Sequence, residues 1–326
     1  MTTDLPKKPR PSGFRKKSAN PDSSSVRHGY VKSFDNTKLF FSIEGKGKPI
    51  VFCYGLVCSS LHWTYQIDYF KRSHKAVWFD YRGHNNSETP VDLKSLTLEN
   101  LARDLGSVLD ELKIDNAVLL GHSMGVNVVL DFYKKNPKRV AGLILANGTA
   151  QRPLETILRH NALQSLFKGL RRAYETAPDL VTILWRMQRN APFTRTLIKI
   201  LGFNPHLAAP EDVNLYLKEV SEMDPAIFLN LIENYDNYDA TSWLHTIKCP
   251  TLVIAGRSDK IIPLEQQELL HQLIPNSQLE VVFHGSHCPQ MDLPDQVNLR
   301  IEKFLSSINY GLSANPTMET ASLSTV

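Results

Sequence analysis

Wholly apolar runs of strand length alternate along the chain with stretches in which apolar residues recur every three or four positions. The first kind predicts buried strands, and the second predicts helices with one buried face. Between residues 29 and 43, apolar and polar residues alternate around Asp35-Asn36, which predicts a hairpin of two edge strands. The succession is typical of an α/β fold, a mostly parallel eight-stranded sheet with helices on both faces. The buried strands are expected at 49–54, 76–81, 117–122, 140–147, 250–256 and 279–283, and helices at about 61–70, 98–112, after 123, from 264 and at 294–308.

This alternation stops at about Thr149 and resumes after Trp243. The intervening sequence has helical periodicity punctuated by prolines and no convincing strand, so we expect a helical cap over 149–243. The α/β core is then formed by 28–148 together with 244–309. Residues 1–27, which are basic, and residues 310–326 are expected to be disordered tails.

One short motif lies where an apolar strand passes into an apolar helix, Gly121-His122-Ser123-Met124-Gly125. A serine at the tip of such a turn has strained backbone geometry, and the turn closes only if the residues two before and two after lack side chains. The backbone N–H of Met124 then begins a helix and can donate to a developing oxyanion. The pattern predicts a nucleophile elbow with Ser123 at its tip.

A serine hydroxyl needs a histidine to accept its proton and an acid to orient that histidine. Asp259 and His287 each follow a predicted strand, and the carboxyl ends of parallel strands meet at one edge of a sheet. We therefore expect both residues beside Ser123. His284 is the nearest alternative to His287, but it lies at the strand end, whereas His287 lies in the loop. In some members of the family that these motifs resemble, the catalytic acid follows the preceding strand of the sheet, and this chain has Asn147 there.

These motifs resemble those of the α/β-hydrolase family, in its capped, lipase- and esterase-like group of serine hydrolases. The resemblance implies that Ser123 is the nucleophile, His287 the general base and acid, and Asp259 the orienting carboxylate. It also implies an oxyanion hole formed by the backbone N–H groups of Leu56 and Met124, and no metal or organic cofactor. The resemblance covers residues from about 29 to 308. The motifs that carry it are Gly121–Gly125, Asp80-Tyr81-Arg82-Gly83-His84 with Ser87, Ala255–Asp259 with Ile262-Pro263, and Gly285-Ser286-His287.

The chain departs from the family pattern in two places. Tyr54 precedes Gly55 where the family often has histidine, and because the oxyanion donor is a backbone group we expect the hole to be retained. Asn85 replaces a glycine, and asparagine tolerates a left-handed backbone better than most residues.

Asp80 and Arg82 are expected to form a structural ion pair or turn and to take no catalytic role.

Composition limits the classes of function. Hydrophobic residues make up 42% and charged residues 21% of the chain, as in a globular protein with a full core. The net charge of +4 gives no reason to expect a nucleic-acid partner. No apolar run approaches the length of a membrane span, and no signal peptide is visible. The four cysteines, with no paired metal spacing, are expected to be reduced thiols of a cytoplasmic protein.

The cap sequence bears on the substrate. Its first half is basic and its second half acidic, and apolar residues recur near helical spacing in the first. One interpretation is that this apolar face covers the pocket, which implies a hydrophobic ester or acyl substrate. The other is that the cap, helped by the basic N-terminal tail, makes weak contact with an anionic membrane surface. The apolar residues are Leu154, Ile157, Leu158, Leu166, Phe167 and Leu170.

Sequence alone therefore predicts a serine hydrolase that cleaves a carboxylic ester or related acyl bond through an acyl-enzyme. Two alternatives use the same residues, an acyltransferase and a carbon–carbon bond hydrolase. A third is a hydrolase-like protein that binds a ligand without catalysis. Epoxide and haloalkane hydrolysis are less favoured, because the family members that perform them have an aspartate at the position of Ser123.

Overall fold

A computed structural model describes residues 26–153, 162–188 and 191–311, and its centre is a single eight-stranded sheet. The strand order is β1-β2-β4-β3-β5-β6-β7-β8. The β1–β2 and β2–β4 pairs are antiparallel and all others are parallel, so the predicted mostly parallel sheet is confirmed. The strands are β1 (Arg27–Lys32), β2 (Lys38–Glu44), β3 (Pro49–Cys53), β4 (Lys75–Phe79), β5 (Ala117–His122), β6 (Val140–Ala146), β7 (Thr251–Gly256) and β8 (Ser277–Val282).

Helices pack on the sheet in two groups, with α2 against α3 and α1 against α11. Among the described residues, five helices, α4 to α8, lie between β6 and β7 where the cap is expected. The helices are α1 (Thr64–Phe70), α2 (Leu98–Glu111), α3 (Met124–Lys135), α4 (Ala162–Thr176), α5 (Pro178–Met187), α6 (Pro192–Gly202), α7 (Pro210–Glu222), α8 (Pro225–Asp236), α9 (Leu264–Leu273), α10 (Pro289–Asp292) and α11 (Pro294–Ser307). Short 3₁₀ segments occur at Ser60–Trp63, Leu93–Ser95, Pro137–Arg139 and Leu244–Thr246.

The two ends of the cap meet at an isolated antiparallel bridge between Gln151 and Asp239. The backbone N–H of Ala240 also donates to the carbonyl of Ala150 at 2.8 Å. These contacts close the base of the insertion beside β6. Of the six apolar residues expected on one cap face, Leu154, Ile157 and Leu158 lie outside the described residues.

The ordered core extends slightly beyond the expected boundaries of the tails. Arg27 already pairs with Ile43 in the β1–β2 ladder. At the other end Tyr310 is buried, donates its phenol to the carbonyl of Pro49 at 2.7 Å and stacks on His74. Local composition does not reveal these contacts, because the partners are distant in sequence. The remaining tail residues, 1–25 and 312–326, lie outside the described ranges.

Of the two alternatives expected for Asp80 and Arg82, an ion pair or a turn, the structure has the turn: the backbone N–H of His84 donates to the carbonyl of Tyr81 at 2.9 Å, and the two charged side chains have other partners. Arg82 is fully buried and pairs with Asp104 at 2.6 Å and with Asp35 at 2.8 Å. Asp80 instead accepts hydrogen bonds from the loop that follows it, including one of 3.0 Å from the Asn86 amide. Arg82 thus joins α2 to the β1–β2 turn, and Asp80 holds the loop that follows it.

The loop after β4 confirms one further expectation. Asn85 has a φ of 47°, in the left-handed region that asparagine tolerates. Its side-chain amide donates to the carbonyl of Cys58 at 3.3 Å. Within the described ranges, no helix combines the length and apolar character needed to cross a membrane.

Candidate active site

Ser123 forms the tip of a sharp turn between β5 and α3. Its φ of 54° and ψ of −123° are unusual for a residue with a side chain. A Cβ atom at Gly121 would lie 2.5 Å from the carbonyl oxygen of Gly125, and one at Gly125 would lie 2.4 Å from that of Cys53. Only glycine fits at both positions, which is the physical reason for the Gly-x-Ser-x-Gly pattern.

His287 lies between Ser123 and Asp259. Its Nε2 is 3.1 Å from Oγ of Ser123, and its Nδ1 is 2.9 Å from Oδ2 of Asp259. All three side chains are buried, although they are up to 164 positions apart in sequence. With a carboxylate at Nδ1, that nitrogen is assigned the proton, which leaves Nε2 free to accept one from the serine. The three residues predicted from sequence are therefore in hydrogen-bonding contact.

The carboxylate of Asp259 has several hydrogen-bond donors of its own. Oδ1 accepts the backbone N–H groups of Ile261 and Ile262 at 2.8 and 2.9 Å. Oδ2, which faces His287, also accepts the side-chain amide of Asn147 at 2.6 Å. These bonds fix the orientation of the carboxylate that faces the imidazole of His287.

Asn147 has a role that sequence analysis did not assign. It follows β6 with a φ of 48°, and besides contacting Asp259 it donates to the carbonyl of Ser286 at 3.0 Å. Its side-chain oxygen accepts the N–H of Gly256 at 3.2 Å. Asn147 thus joins the loops that carry the acid and the histidine. The signal in the sequence was an asparagine at the position where an acid could follow this strand.

His122, the residue before Ser123, supports the histidine loop. Its Nε2 lies 2.8 Å from the carbonyl oxygen of His287. Burial, reinforced by the neighbouring His287, holds the pKa of His122 well below its usual range, so the ring is neutral. Because a carbonyl can only accept, Nε2 carries the proton and donates it. Sequence analysis included His122 in the motif without giving it this role.

The backbone of the β3–α1 loop passes directly against Ser123. A Cβ atom at Gly55 would lie 3.0 Å from Cβ of Ser123. Neither the amide of Leu56, the next residue, nor that of Met124 donates a hydrogen bond to any residue in the ranges described. Leu56 follows Gly55, which packs against Ser123, and Met124 follows Ser123 itself, so both free amides stay candidates for an oxyanion hole.

Tyr54 replaces the histidine that the family often has before this glycine. Its phenol oxygen accepts the backbone N–H of Tyr81 at 3.0 Å, and its carbonyl accepts the Tyr81 phenol at 2.9 Å. The phenol of Tyr54 also donates to Asp80 at 3.2 Å. These three bonds anchor the start of the loop in the core, so the substitution leaves the loop well supported.

The cap contributes Tyr235, which sequence analysis missed. Its phenol is buried, and within the described residues it makes no hydrogen bond of good geometry. Burial raises the pKa of Tyr235, and the hydroxyl of Ser123 beside it opposes that rise only in part, so the phenol stays protonated. A phenol O–H group from α8 is thus available beside the serine.

His284, the alternative histidine, lies outside this site. It is exposed and packs on Phe283.

A buried ion pair connects the cap to the loop that carries Leu56. Nε2 of His62 is 2.9 Å from a carboxylate oxygen of Glu219 on α7, and Ser59 donates to the other oxygen. Burial alone would lower the pKa of His62, but Cys58 and Glu219 outweigh it and raise the pKa well above its usual range. The imidazolium therefore persists at neutral pH and holds α7 against the core.

Comparison with known proteins agrees with this architecture. The family model described as the α/β-hydrolase fold matches residues 48–294, which include all five predicted site residues. Epoxide hydrolase 4 of Mus musculus is 27% identical over 302 residues, covering 88% of this chain and 83% of that protein. The 3-oxoadipate enol-lactonase 2 of Acinetobacter baylyi is 26% identical over 262 residues, covering 80% and 89%.

A solved structure of similar shape is that of a thermophilic esterase from Thermogutta terrifontis with malate bound. Its TM-score is 0.70 and its identity 24%, and the match covers 86% of this chain and 99% of that one. The family match spans most of the chain, and the sheet order and elbow agree with it: the protein belongs to the α/β-hydrolase fold family.

Proposed function

We propose that the protein is a serine hydrolase that cleaves a carboxylic ester, or a related acyl bond, of a hydrophobic substrate through an acyl-enzyme. The proposal rests above all on His287, whose two ring nitrogens contact Ser123 at 3.1 Å and Asp259 at 2.9 Å. This is the arrangement that activates a serine hydroxyl. The backbone amides of Leu56 and Met124, which have no acceptor in the described part of the chain, are the proposed donors of the oxyanion hole.

In the proposed reaction, Oγ of Ser123 attacks the carbonyl carbon while Nε2 of His287 takes the hydroxyl proton. The resulting oxyanion accepts hydrogen bonds from the backbone N–H groups of Leu56 and Met124. As the tetrahedral intermediate collapses, His287 gives the proton to the departing alcohol and the acyl group stays on Ser123. Water then attacks the acyl-enzyme, again with His287 as base, and releases the acid.

The surroundings of the histidine support an apolar substrate. Cys288 follows His287 directly and Met291 lies four positions after it, and both are buried against Phe203, Val213 and Leu217 of the cap. An apolar wall beside the catalytic base suits an acyl or alkoxy chain and disfavours a highly charged one. The relative named enol-lactonase is also consistent with cleavage of an acyl–oxygen bond.

The epoxide hydrolase relative raises a second reaction, and Ser123 argues against it. Family members that open epoxides attack with an aspartate, whereas this chain has a serine at the tip of the elbow. An acyltransferase or a carbon–carbon bond hydrolase would use the same three residues, so those alternatives are distinguished by experiment.

The test combines intact-mass analysis after fluorophosphonate treatment with hydrolysis of p-nitrophenyl esters of short, medium and long chain. We expect a single adduct, lost in Ser123→Ala, together with a fall in kcat/KM of at least about a thousandfold. Ser107→Ala changes a serine on α2 whose hydroxyl donates to the carbonyl of Arg103, and as the matched control it should behave as the unaltered protein.

Other outcomes would redirect the assignment. Turnover that requires an added alcohol acceptor would indicate an acyltransferase. An adduct without turnover of any ester would favour carbon–carbon bond hydrolysis. A folded protein with neither adduct nor turnover would contradict the proposal and favour a ligand-binding role.

A further inference from the structure

Helix α5 turns an apolar stripe away from the protein. Leu180, Ile183, Leu184 and Met187 recur at the spacing of one helix face, and each is more than half exposed. Such a face is normally buried in a globular protein, and contiguous exposed apolar patches mark sites of interaction.

The opposite face of α5 is well anchored, so the exposure does not reflect a detached helix. Val181 is buried, and Nε1 of Trp185 donates to the carbonyl of Val220 on α7 at 2.7 Å. The Trp185 ring also packs on Phe228 of α8 at a centroid distance of 5.0 Å. The helix therefore has two apolar faces, one covered by the cap and one facing outward.

The next helix, α6, repeats this arrangement. Phe193 is 76% exposed, and Leu197 and Ile200 on the same face are each 42% exposed. Ile198 points the other way and packs against the apolar cluster around Phe203. Both helices pack on α7. We call the outward residues of the two helices the cap surface: Leu180, Ile183, Leu184, Met187, Phe193, Leu197 and Ile200.

The cap surface is bordered by positive charge. Residues 178–202 contain four cations, at 186, 189, 195 and 199, and one carboxylate, Asp179. Arg186, Arg195 and Lys199 are exposed, and no carboxylate among the described residues forms an ion pair with them. Apolar residues flanked by arginine and lysine are the composition of helices that lie in the interface of an anionic membrane.

We propose that the cap surface docks the protein on an anionic lipid bilayer. The exposed leucine, isoleucine and phenylalanine side chains enter the boundary between headgroups and acyl chains. Arg186, Arg195 and Lys199 reach the lipid phosphates from its margin, with their aliphatic stems along the apolar surface. This binding is independent of the hydrolytic activity.

Charge favours a bilayer over a second copy of the chain as the occupant. Two cap surfaces placed face to face would bring two sets of Arg186, Arg195 and Lys199 together with only Asp179 of each segment to offset them, and like charges in contact oppose association. An anionic bilayer satisfies both the apolar and the cationic parts of the surface.

The test is co-sedimentation of the full chain with vesicles of phosphatidylcholine alone or mixed with phosphatidylglycerol. We expect binding to the anionic vesicles that weakens with added salt. Ile183→Asp on α5 and Phe193→Asp on α6 should each weaken it at least about tenfold, because each removes apolar insertion and adds repulsion. Arg195→Glu with Lys199→Glu should act in the same direction.

Matched controls are exposed residues on α11, a helix of the α/β core outside the cap. Leu299 is 59% exposed, and Lys303 is exposed on the same helix, so Leu299→Asp and Lys303→Glu make the same chemical changes elsewhere. Both should leave vesicle binding unchanged, and Ile183→Asp should keep the rate on a soluble ester.

Three results would overturn the proposal. One is equal binding by the cap variants and the unaltered chain. Another is loss of binding only when Lys7, Lys8, Lys16 and Lys17 of the tail are changed to serine. The third is a dimer in light scattering that Phe193→Asp converts to a monomer without any vesicle binding, which would assign the surface to self-association.

Discussion

The side-chain amide of Asn147 donates a 2.6 Å hydrogen bond to Oδ2 of Asp259, the same oxygen that faces Nδ1 of His287. Asn147 thus acts on the proposed base through the acid. It also bonds to the carbonyl of Ser286, the residue before the histidine. A single side chain therefore sets the distance between the loops that carry the acid and the base.

Asn147→Gly is expected to lower kcat for ester hydrolysis by about tenfold to a hundredfold with little change in KM, because it removes a hydrogen bond to a charged group that positions the base. Glycine is chosen because it adopts the left-handed backbone of this position without strain. Steady-state kinetics separate the two constants.

Asn127→Ala is the control, since Asn127 is equally buried but donates to the carbonyl of Thr149. It should retain kcat. If both variants lose kcat equally while remaining folded, Asn147 has no specific effect on the triad.

Tyr235 presents a protonated phenol beside Ser123 without a hydrogen bond of good geometry among the described residues. The phenol is therefore available to an oxygen atom of bound substrate. Tyr235→Phe should reduce kcat/KM about tenfold through loss of one hydrogen bond, with thermal stability nearly unchanged.

Tyr238→Phe provides the comparison, because Tyr238 is also a tyrosine of the cap but its phenol faces Asp131. Its ester kinetics should match those of the unaltered protein. Unchanged kinetics in Tyr235→Phe would show that the phenol does not contact substrate.

The buried pair of His62 and Glu219 makes attachment of the cap depend on pH. The pKa of His62 is raised in the folded protein, so the stability that it contributes is full below about pH 6.5 and is lost as the pH rises through the raised value. Thermal unfolding followed from about pH 6 to about pH 10 should show a falling midpoint.

His62→Gln should flatten this fall, as should Glu219→Gln, whereas His245→Gln at the exposed surface should preserve it. A midpoint that falls equally in all three variants would place the titrating group elsewhere.

Thiol chemistry gives an independent test of burial. Burial raises the pKa of Cys53, Cys249 and Cys288 to about 12 each. Since the thiolate is the reactive form, iodoacetamide at neutral pH should leave these three cysteines unmodified in the native protein. All four cysteines are free, so intact mass should show four additions after denaturation. Rapid labelling of Cys288 in the native state would contradict its burial beside His287.

Several features followed directly from the sequence. Apolar periodicity is a local property, so it located the strands and helices to within a few residues and gave a mostly parallel sheet. The elbow was equally local, because only glycine fits at 121 and 125 around a serine with a φ of 54°. Once parallel strands were expected, residues after their carboxyl ends had to converge. Asp259 and His287 follow such strands, and the resemblance to the α/β-hydrolase family implied their roles.

Contacts between distant segments could be decided only by the tertiary structure. Arg82 bonds to Asp104 and Asp35 because β1, β4 and α2 come together, which no local pattern encodes. The same is true of Asn147 beside Asp259 and of Tyr235 beside Ser123. In the cap, the spacing of apolar residues predicted helices but did not show which apolar side chains would be exposed. A helix with apolar residues on both a covered and an exposed side has the same spacing of apolar residues as a helix that is buried on both sides. Which side chains are covered depends on packing, and packing is a property of the whole fold.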